Sequence, residues 1–152
     1  MSVLALASTA IAASLALISL GGGLYETIVV DPVWPSRPDI VQPNRGGISR
    51  KRFWIPAHTA FELLLVTALV TAWSLPEVRF WLLTALGSHA VMRIWSLVDF
   101  VPKALAYERA NPETIDAESM RAWTRRSRLR LPLDLVTAFA MFAAFAAAAR
   151  TF

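Results

Sequence analysis

From Met1 to Tyr25 the chain carries no charged side chain, and Glu26 is the first. About 20 apolar residues at ~1.5 Å rise each cross the hydrocarbon core of a bilayer, so this run is long enough to span. A cleaved leader is the competing reading, because Thr9-Ala10-Ile11-Ala12-Ala13 resembles a cleavage site. No Lys or Arg precedes the run, however, and it continues past any such site, which favours a retained helix.

Three further runs share this character, and the expected spans are residues 2–25, 53–75, 78–100 and 131–149. Pro76 and Glu77 make a tight turn between the second and third. Pro132 falls in the first turn of the fourth, where a missing N–H costs little. Backbone polar groups in lipid must be satisfied within the chain, so the pattern predicts an all-α fold. Its form is an antiparallel four-helix transmembrane bundle, residues 1–152 making a single integral membrane domain. The composition agrees: 56% of residues are hydrophobic and 17% charged, against about 25% charged in soluble domains. An ordinary soluble globule, a disordered tail and a small secreted scaffold are thereby excluded. The absence of cysteine excludes disulfides, thiolate metal sites and cysteine nucleophiles.

The cations give an orientation. Arg37, Arg45, Arg50, Lys51 and Arg52 lie in the first connection, and Lys103, Arg109, Arg121, Arg125, Arg126, Arg128 and Arg130 in the third. Against these twelve stand Arg79 and Arg150, with Arg93 inside a span. The positive-inside rule puts both long connections in the cytoplasm and both termini on the non-cytoplasmic side of a bacterial inner membrane. The basic pI of about 10.3 then describes a belt facing anionic lipid headgroups rather than a nucleic-acid surface.

The first connection holds Pro32, Pro35, Pro38 and Pro43 with Gly46 and Gly47, which predicts an extended, turn-rich flap. The third is expected to be basic and partly helical, with Asn111 as a cap, Pro112 at the first helical position and acidic residues in the first turn. Gly21-Gly22-Gly23 is no phosphate loop, since no strand precedes it and no Lys-Ser/Thr follows. Close helix approach or a kink explains it better. The Ala-rich fourth span also suits close packing.

Ionisable groups inside a span cost about 2.5–3.5 kcal/mol each on insertion scales, so each needs a partner or a purpose. His58 and Glu62 are four apart on the second helix, hence on one face, and His89 and Arg93 repeat that spacing on the third. Ser88 and Ser96 lie near the same face. Glu26, Asp99 and Asp134 sit near the inner ends of the first, third and fourth spans. Counted inward at ~1.5 Å per residue, His58 is about 7 Å deep, Arg93 about 10, Glu62 about 13 and His89 about 16. The ionisable groups therefore share the cytoplasmic half, which predicts a pocket opening toward the inner leaflet beneath the proline-rich flap.

Several chemistries compete for this pocket. A di-iron centre needs Glu and Glu-x-x-His motifs that are absent, and an Arg beside a metal is unfavourable. A single metal ion on His58, Glu62 and His89 is chemically allowed, two imidazoles and a carboxylate making a facial triad. A bis-His haem needs both imidazoles at one depth, and the count separates them by roughly 9 Å. A pocket with no cofactor fits best. His58 or Glu62 would move a proton, and Arg93 with His89 would stabilise an enolate or phenolate oxygen. The same residues could instead be interhelical pairs that only fix the bundle. Trp54 and Trp95 neighbour the cluster and can stack on a flat ligand, whereas most other indoles anchor at the interface.

Gly22-Gly23-Leu24-Tyr25-Glu26, then Asp31-Pro32-Val33-Trp34-Pro35 with Pro38, then Phe53-Trp54-Ile55-Pro56-Ala57-His58, resemble small bacterial membrane proteins grouped with the anthrone oxygenases. The resemblance covers roughly the first half of the chain and the four-span plan. It implies a four-helix integral membrane fold. Because some members oxidise polycyclic anthrones to anthraquinones with molecular oxygen and no evident cofactor, it also implies that chemistry. Tyr25, Trp34, Trp54 and His58 would belong to the site.

The expected function is therefore an intramembrane pocket acting on a hydrophobic, aromatic or quinone-like small molecule. His58, Glu62, His89 and Arg93 are its catalytic candidates, and Tyr25, Glu26, Trp34, Trp54, Trp95 and Asp99 its binding candidates. Two alternatives stand beside it: a non-catalytic accessory subunit of a membrane complex, and a metal- or haem-binding membrane protein. A homo-oligomer or a partner membrane subunit is compatible with each. A transmembrane relay would need more polar residues in the outer half than Thr67, Thr71 and Thr84.

Overall fold

A computed structural model describes residues 3–151. Ser2, where the first expected span begins, and both terminal residues lie outside them. Helix α1 (Val3–Tyr25) runs unbroken into a π turn, Glu26–Val30, closed by the Asp31 N–H on the Glu26 carbonyl at 2.8 Å. Helix α2 spans Lys51–Thr71. Helix α3 (Pro76–Trp95) enters a second π turn, Ser96–Phe100, and continues as α4 (Val101–Arg109). Helix α5 (Ala117–Ser127) passes through a 3-10 turn, Arg128–Arg130, into α6 (Leu131–Ala149). No strand occurs among the described residues.

Three of these long helical stretches are long and apolar enough to cross a membrane: Val3–Val30, Lys51–Thr71 and Ala117–Ala149. The expected third span is helical but is not one of them. Glu77, Arg79 and Arg93 lie within α3 and dilute its apolar character.

Small residues determine how the helices meet. The buried face of α1 is Ala5, Ser8, Thr9, Ala12, Ala13, Ala16 and Ser19. Thr9 donates its hydroxyl to the Ala5 carbonyl at 2.7 Å, so it packs as a small group without an orphaned donor. On α6 the matching face is Ala138, Met141, Ala144, Ala147 and Ala148. On α2 and α3 larger side chains fill the gaps these leave, with Phe61 and Leu65 facing Val78 and Leu82 in one core. Helix α1 packs along α2 and α6, and α3 along α6. Consecutive α2 and α3 touch far less. The start of α3 meets the end of α6, where Arg150 donates to Glu77 at 2.5 Å. The end of α1 meets the start of α2, where a Cβ on Gly22 would lie only 2.6 Å from the Phe53 ring carbon Cζ. Large apolar side chains such as Leu63, Val70, Phe80 and Phe139 point outward.

Both long connections lie at one end, here termed the basic end. The first is not the extended flap that its prolines predict. It winds into three 3-10 turns, Trp34–Ser36, Pro38–Val41 and Pro43–Arg45, each with a Pro at its first or second position. Proline fixes φ near −65°, which a 3-10 turn accepts as readily as an extended chain does. Gly46, at φ 85°, reverses the chain after the last turn. A second apolar cluster of Val30, Trp34, Val41, Phe100, Met120 and Trp123 clamps this loop onto α5. Gln42 reinforces it, donating from Nε2 to the Tyr107 and Ala110 carbonyls at 2.7 and 2.9 Å. In the third connection Asn111 caps only the short turn Pro112–Thr114. The cap of α5 is Asp116, whose carboxylate accepts the N–H groups of Glu118 and Ser119.

Candidate functional site

The bundle closes in the order α2, α1, α6, α3, and the weak α2–α3 seam is where its polar residues gather. Glu62 reaches across from α2. Its Oε1 accepts the Arg93 Nε–H at 2.8 Å and lies 3.2 Å from His89 Nε2, both on α3. His58, one turn before Glu62, lies with its ring centroid 5.6 Å from that of His89. The imidazoles are thus neighbours, and the 9 Å of depth expected between them is not found. That estimate took Phe53 and Phe100 as level helix ends. In fact α2 starts two residues earlier, at Lys51, and α3 runs on through α4 to Arg109.

Aromatic rings hold both imidazoles. Trp54 stacks on His58 with centroids 5.2 Å apart and planes 19° apart, and Phe61 sets its ring edgewise to His89 at 4.8 Å. Trp54 is fixed in turn by its indole N–H, donated to Glu26 Oε1 at 2.8 Å. His58 and His89 are buried, at 8% and 5% exposure, whereas the Glu62 side chain is 42% exposed along the seam. His58 Nδ1 is buried without a hydrogen-bond partner.

Beside this cluster, toward the basic end, lies a cavity of about 380 Å³. Its apolar wall includes Ile55, Met92, Leu97, Phe100, Val101 and Trp123, and its polar wall includes Glu26, Asp31, Arg50, His58, Arg93, Arg130 and Asp134. Both π turns contribute, Glu26 and Thr27 from the first and Ser96, Leu97 and Phe100 from the second. A π turn widens the helix locally and re-aims the side chains it carries. The two arginines at the mouth are fixed by aromatic faces. The Arg50 guanidinium lies 4.5 Å from the Trp34 ring centroid, and that of Arg130 4.3 Å from that of Phe100. Arg130 also donates to the Ser96 hydroxyl at 2.7 Å. Burial pushes the Asp31 carboxyl up to about 6, and the Glu26 carboxylate adds to the effect, against the pull of Arg50, Arg128 and Arg130. Burial also lowers the Arg50 guanidinium from its ordinary value, opposed by Glu26, Asp31 and Glu108.

Of the ten candidate residues, His58, Arg93, Glu26 and Trp54 line the cavity. Glu62 and His89 stand behind its wall, tied to Arg93. The other four lie away from it. Trp34 is fully buried in the loop cluster, edge-on to Trp123 at 4.8 Å, because the 3-10 turns fold it inward. Tyr25 faces outward at 59% exposure. Trp95 packs edgewise on Phe100. Asp99 pairs with Lys103 at 2.8 Å and with Arg126. The lining residues Asp31, Arg50, Arg130 and Trp123 were not among the candidates. Their signal in the sequence was position: Arg50 and Arg130 each stand immediately before an apolar run, and Trp123 interrupts a basic helix.

Searches of known protein families, curated proteins and solved structures return no match to this chain.

Proposed function

We propose that the chain is a multi-pass protein of the bacterial inner membrane, an antiparallel four-helix bundle with its basic end in the cytoplasm. In this reading α3 crosses with the three more apolar helices. Its outward residues Phe80, Leu83, Val91 and Ile94 are apolar, while Arg79 donates to the Trp73 carbonyl and Arg93 to Glu62. The excess of cations at the basic end supports the orientation.

The cavity binds a hydrophobic, aromatic or quinone-like molecule, which the protein oxidises in the manner of anthrone oxygenases. One observation carries this reading: a cavity within the size range of small-molecule sites, with an apolar wall and a few convergent polar groups. In the reaction, an acidic methylene loses a proton and its carbon joins molecular oxygen as a hydroperoxide. Loss of water then leaves a carbonyl, so one oxygen atom enters the product and the other departs as water. His58 is the wall group suited to take the proton. The terminal nitrogens of Arg93 make no hydrogen bond with another described residue and are free for the enolate oxygen. Glu62 and His89 are positioning residues, which aim Arg93. Membranes carrying the protein are expected to speed oxygen uptake and quinone formation from a polycyclic anthrone. His58→Ala, Arg93→Ala and the cavity-filling Leu97→Trp are each expected to return the rate to that of protein-free membranes. Wild-type membranes no faster than that background would overturn the reading.

A non-catalytic accessory subunit is favoured by one observation, the direct Glu62–Arg93 pair at 2.8 Å. That reading requires a stoichiometric membrane partner to copurify, and Leu97→Trp to leave the complex intact.

A further inference from the structure

One nitrogen each from His58 and His89 and one oxygen from Glu62 lie within 4.8 Å of one another. Two imidazoles and a carboxylate form the ligand set that takes zinc or a non-haem first-row ion with coordination positions left open. Magnesium and calcium prefer a shell of oxygens, and the chain has no thiolate to attract softer ions. We propose that His58, Glu62 and His89 bind one divalent first-row transition-metal ion across the α2–α3 seam, with its open positions toward the cavity.

Three observations support the site beyond ligand proximity. The buried His58 Nδ1 has no partner, and a metal ion offers a lone pair what the protein does not. Each ligand is already oriented: His58 by the Trp54 face, His89 by the Phe61 edge, and Glu62 by the Arg93 Nε–H. Metal-bound carboxylates commonly carry such an outer hydrogen bond. Finally, His58 is both a ligand and a wall of the cavity, so the ion's vacant positions are within reach of a bound molecule.

Arg93 opposes the ion as a nearby cation and supports it by holding Glu62. It engages Oε1 alone, which leaves Oε2 for the metal. Arg93 therefore weakens affinity without occupying the site. The inference rests on the cavity for its function but not for its existence. A metal-bound His58 cannot accept a proton, so in the loaded protein deprotonation passes to a hydroxide on the ion, whose parent water is acidified by the metal.

The test is a Co²⁺ titration of the chelator-treated full-length protein in detergent, followed by the visible ligand-field band and by competition with Zn²⁺. One Co²⁺ per chain is expected, displaced by Zn²⁺. His58→Gln, Glu62→Gln and His89→Gln should each bind at least about a hundredfold more weakly while retaining helical circular dichroism. Arg93→Gln, which keeps a donor and removes the charge, should bind more tightly than wild type. Absence of binding to folded wild type overturns the proposal, as does undiminished binding by the His58→Gln/His89→Gln double variant. Quenching of Trp54 fluorescence by a naphthoquinone, measured on the same metal-free sample, reports the cavity separately. Its survival alongside failed Co²⁺ binding would remove the metal and leave the binding site.

Discussion

At the scale of single residues, the chain places its expensive groups where each has work or a partner. Asp31 shows the cost most directly. Its carboxyl is held at about 6, above the ordinary 3.8, chiefly by burial. A folded-state value above the unfolded one means that the folded protein keeps the proton longer. The stability this contributes is complete below about pH 3.8 and is lost as pH rises through about 6. Asp31→Asn removes that dependence. The variant is expected to unfold about 3 °C above wild type at pH 7.5, with the advantage vanishing at pH 4. A thermal melt in detergent at both pH values checks it, and an equal gain at pH 4 would contradict the mechanism. The residue scale is also where reading the sequence was most uneven. The four-residue spacing put His58 with Glu62 and His89 with Arg93 on common faces, and the structure joins those pairs. Trp34 and Tyr25 were misplaced because adjacency in sequence to a span says nothing about rotation. One ring turns into a loop core and the other turns outward.

At the scale of elements, helix contacts depend on positions that admit no side chain. Gly22 faces the Phe53 ring, and a Cβ there would collide with it, whereas a Cβ on Gly21 meets nothing within 4 Å. Gly22→Ala is therefore expected to lower the melting temperature, and a second change, Phe53→Ala, to restore part of the loss. Gly21→Ala should leave the protein unchanged or slightly stabilised, since it gains helix propensity of about 1 kcal/mol. Thermal melts of the three variants check this, and equal losses at Gly21 and Gly22 would argue against the close approach. Helix content was legible because apolar run length is a local property. The ends were not: α3 and α5 extend through polar sequence, since the cluster around Trp123 and Phe100 gives those extensions something to pack on. The same tertiary packing explains why the proline-rich segment is wound rather than extended.

At the scale of the whole molecule, the twelve cations of the two long connections share one end, with Arg79 and Arg150 at the other. The chain has no cysteine, so single introduced thiols report side without background. Ser36→Cys and Glu113→Cys are expected to react with an impermeant maleimide from the cytoplasmic face, and Ser74→Cys from the opposite face. Labelling of Ser36→Cys and Ser74→Cys from the same side would refute the orientation. The α2–α3 seam could not be foreseen, because neighbours in sequence were assumed to be neighbours in space. The Glu62 bridge spans the gap that this assumption hides. The two π turns have a further consequence, in heredity rather than geometry. A π turn holds an extra residue within an otherwise α-helical run, so losing one codon there returns the run to α-helix. That loss swings the next side chains by about 100°. Glu26 and Thr27, or Leu97 and Phe100, would then leave the cavity wall while the membrane-crossing text stayed unaltered. A lineage can thus open or close this chamber by changing its length at two points, with no substitution anywhere else.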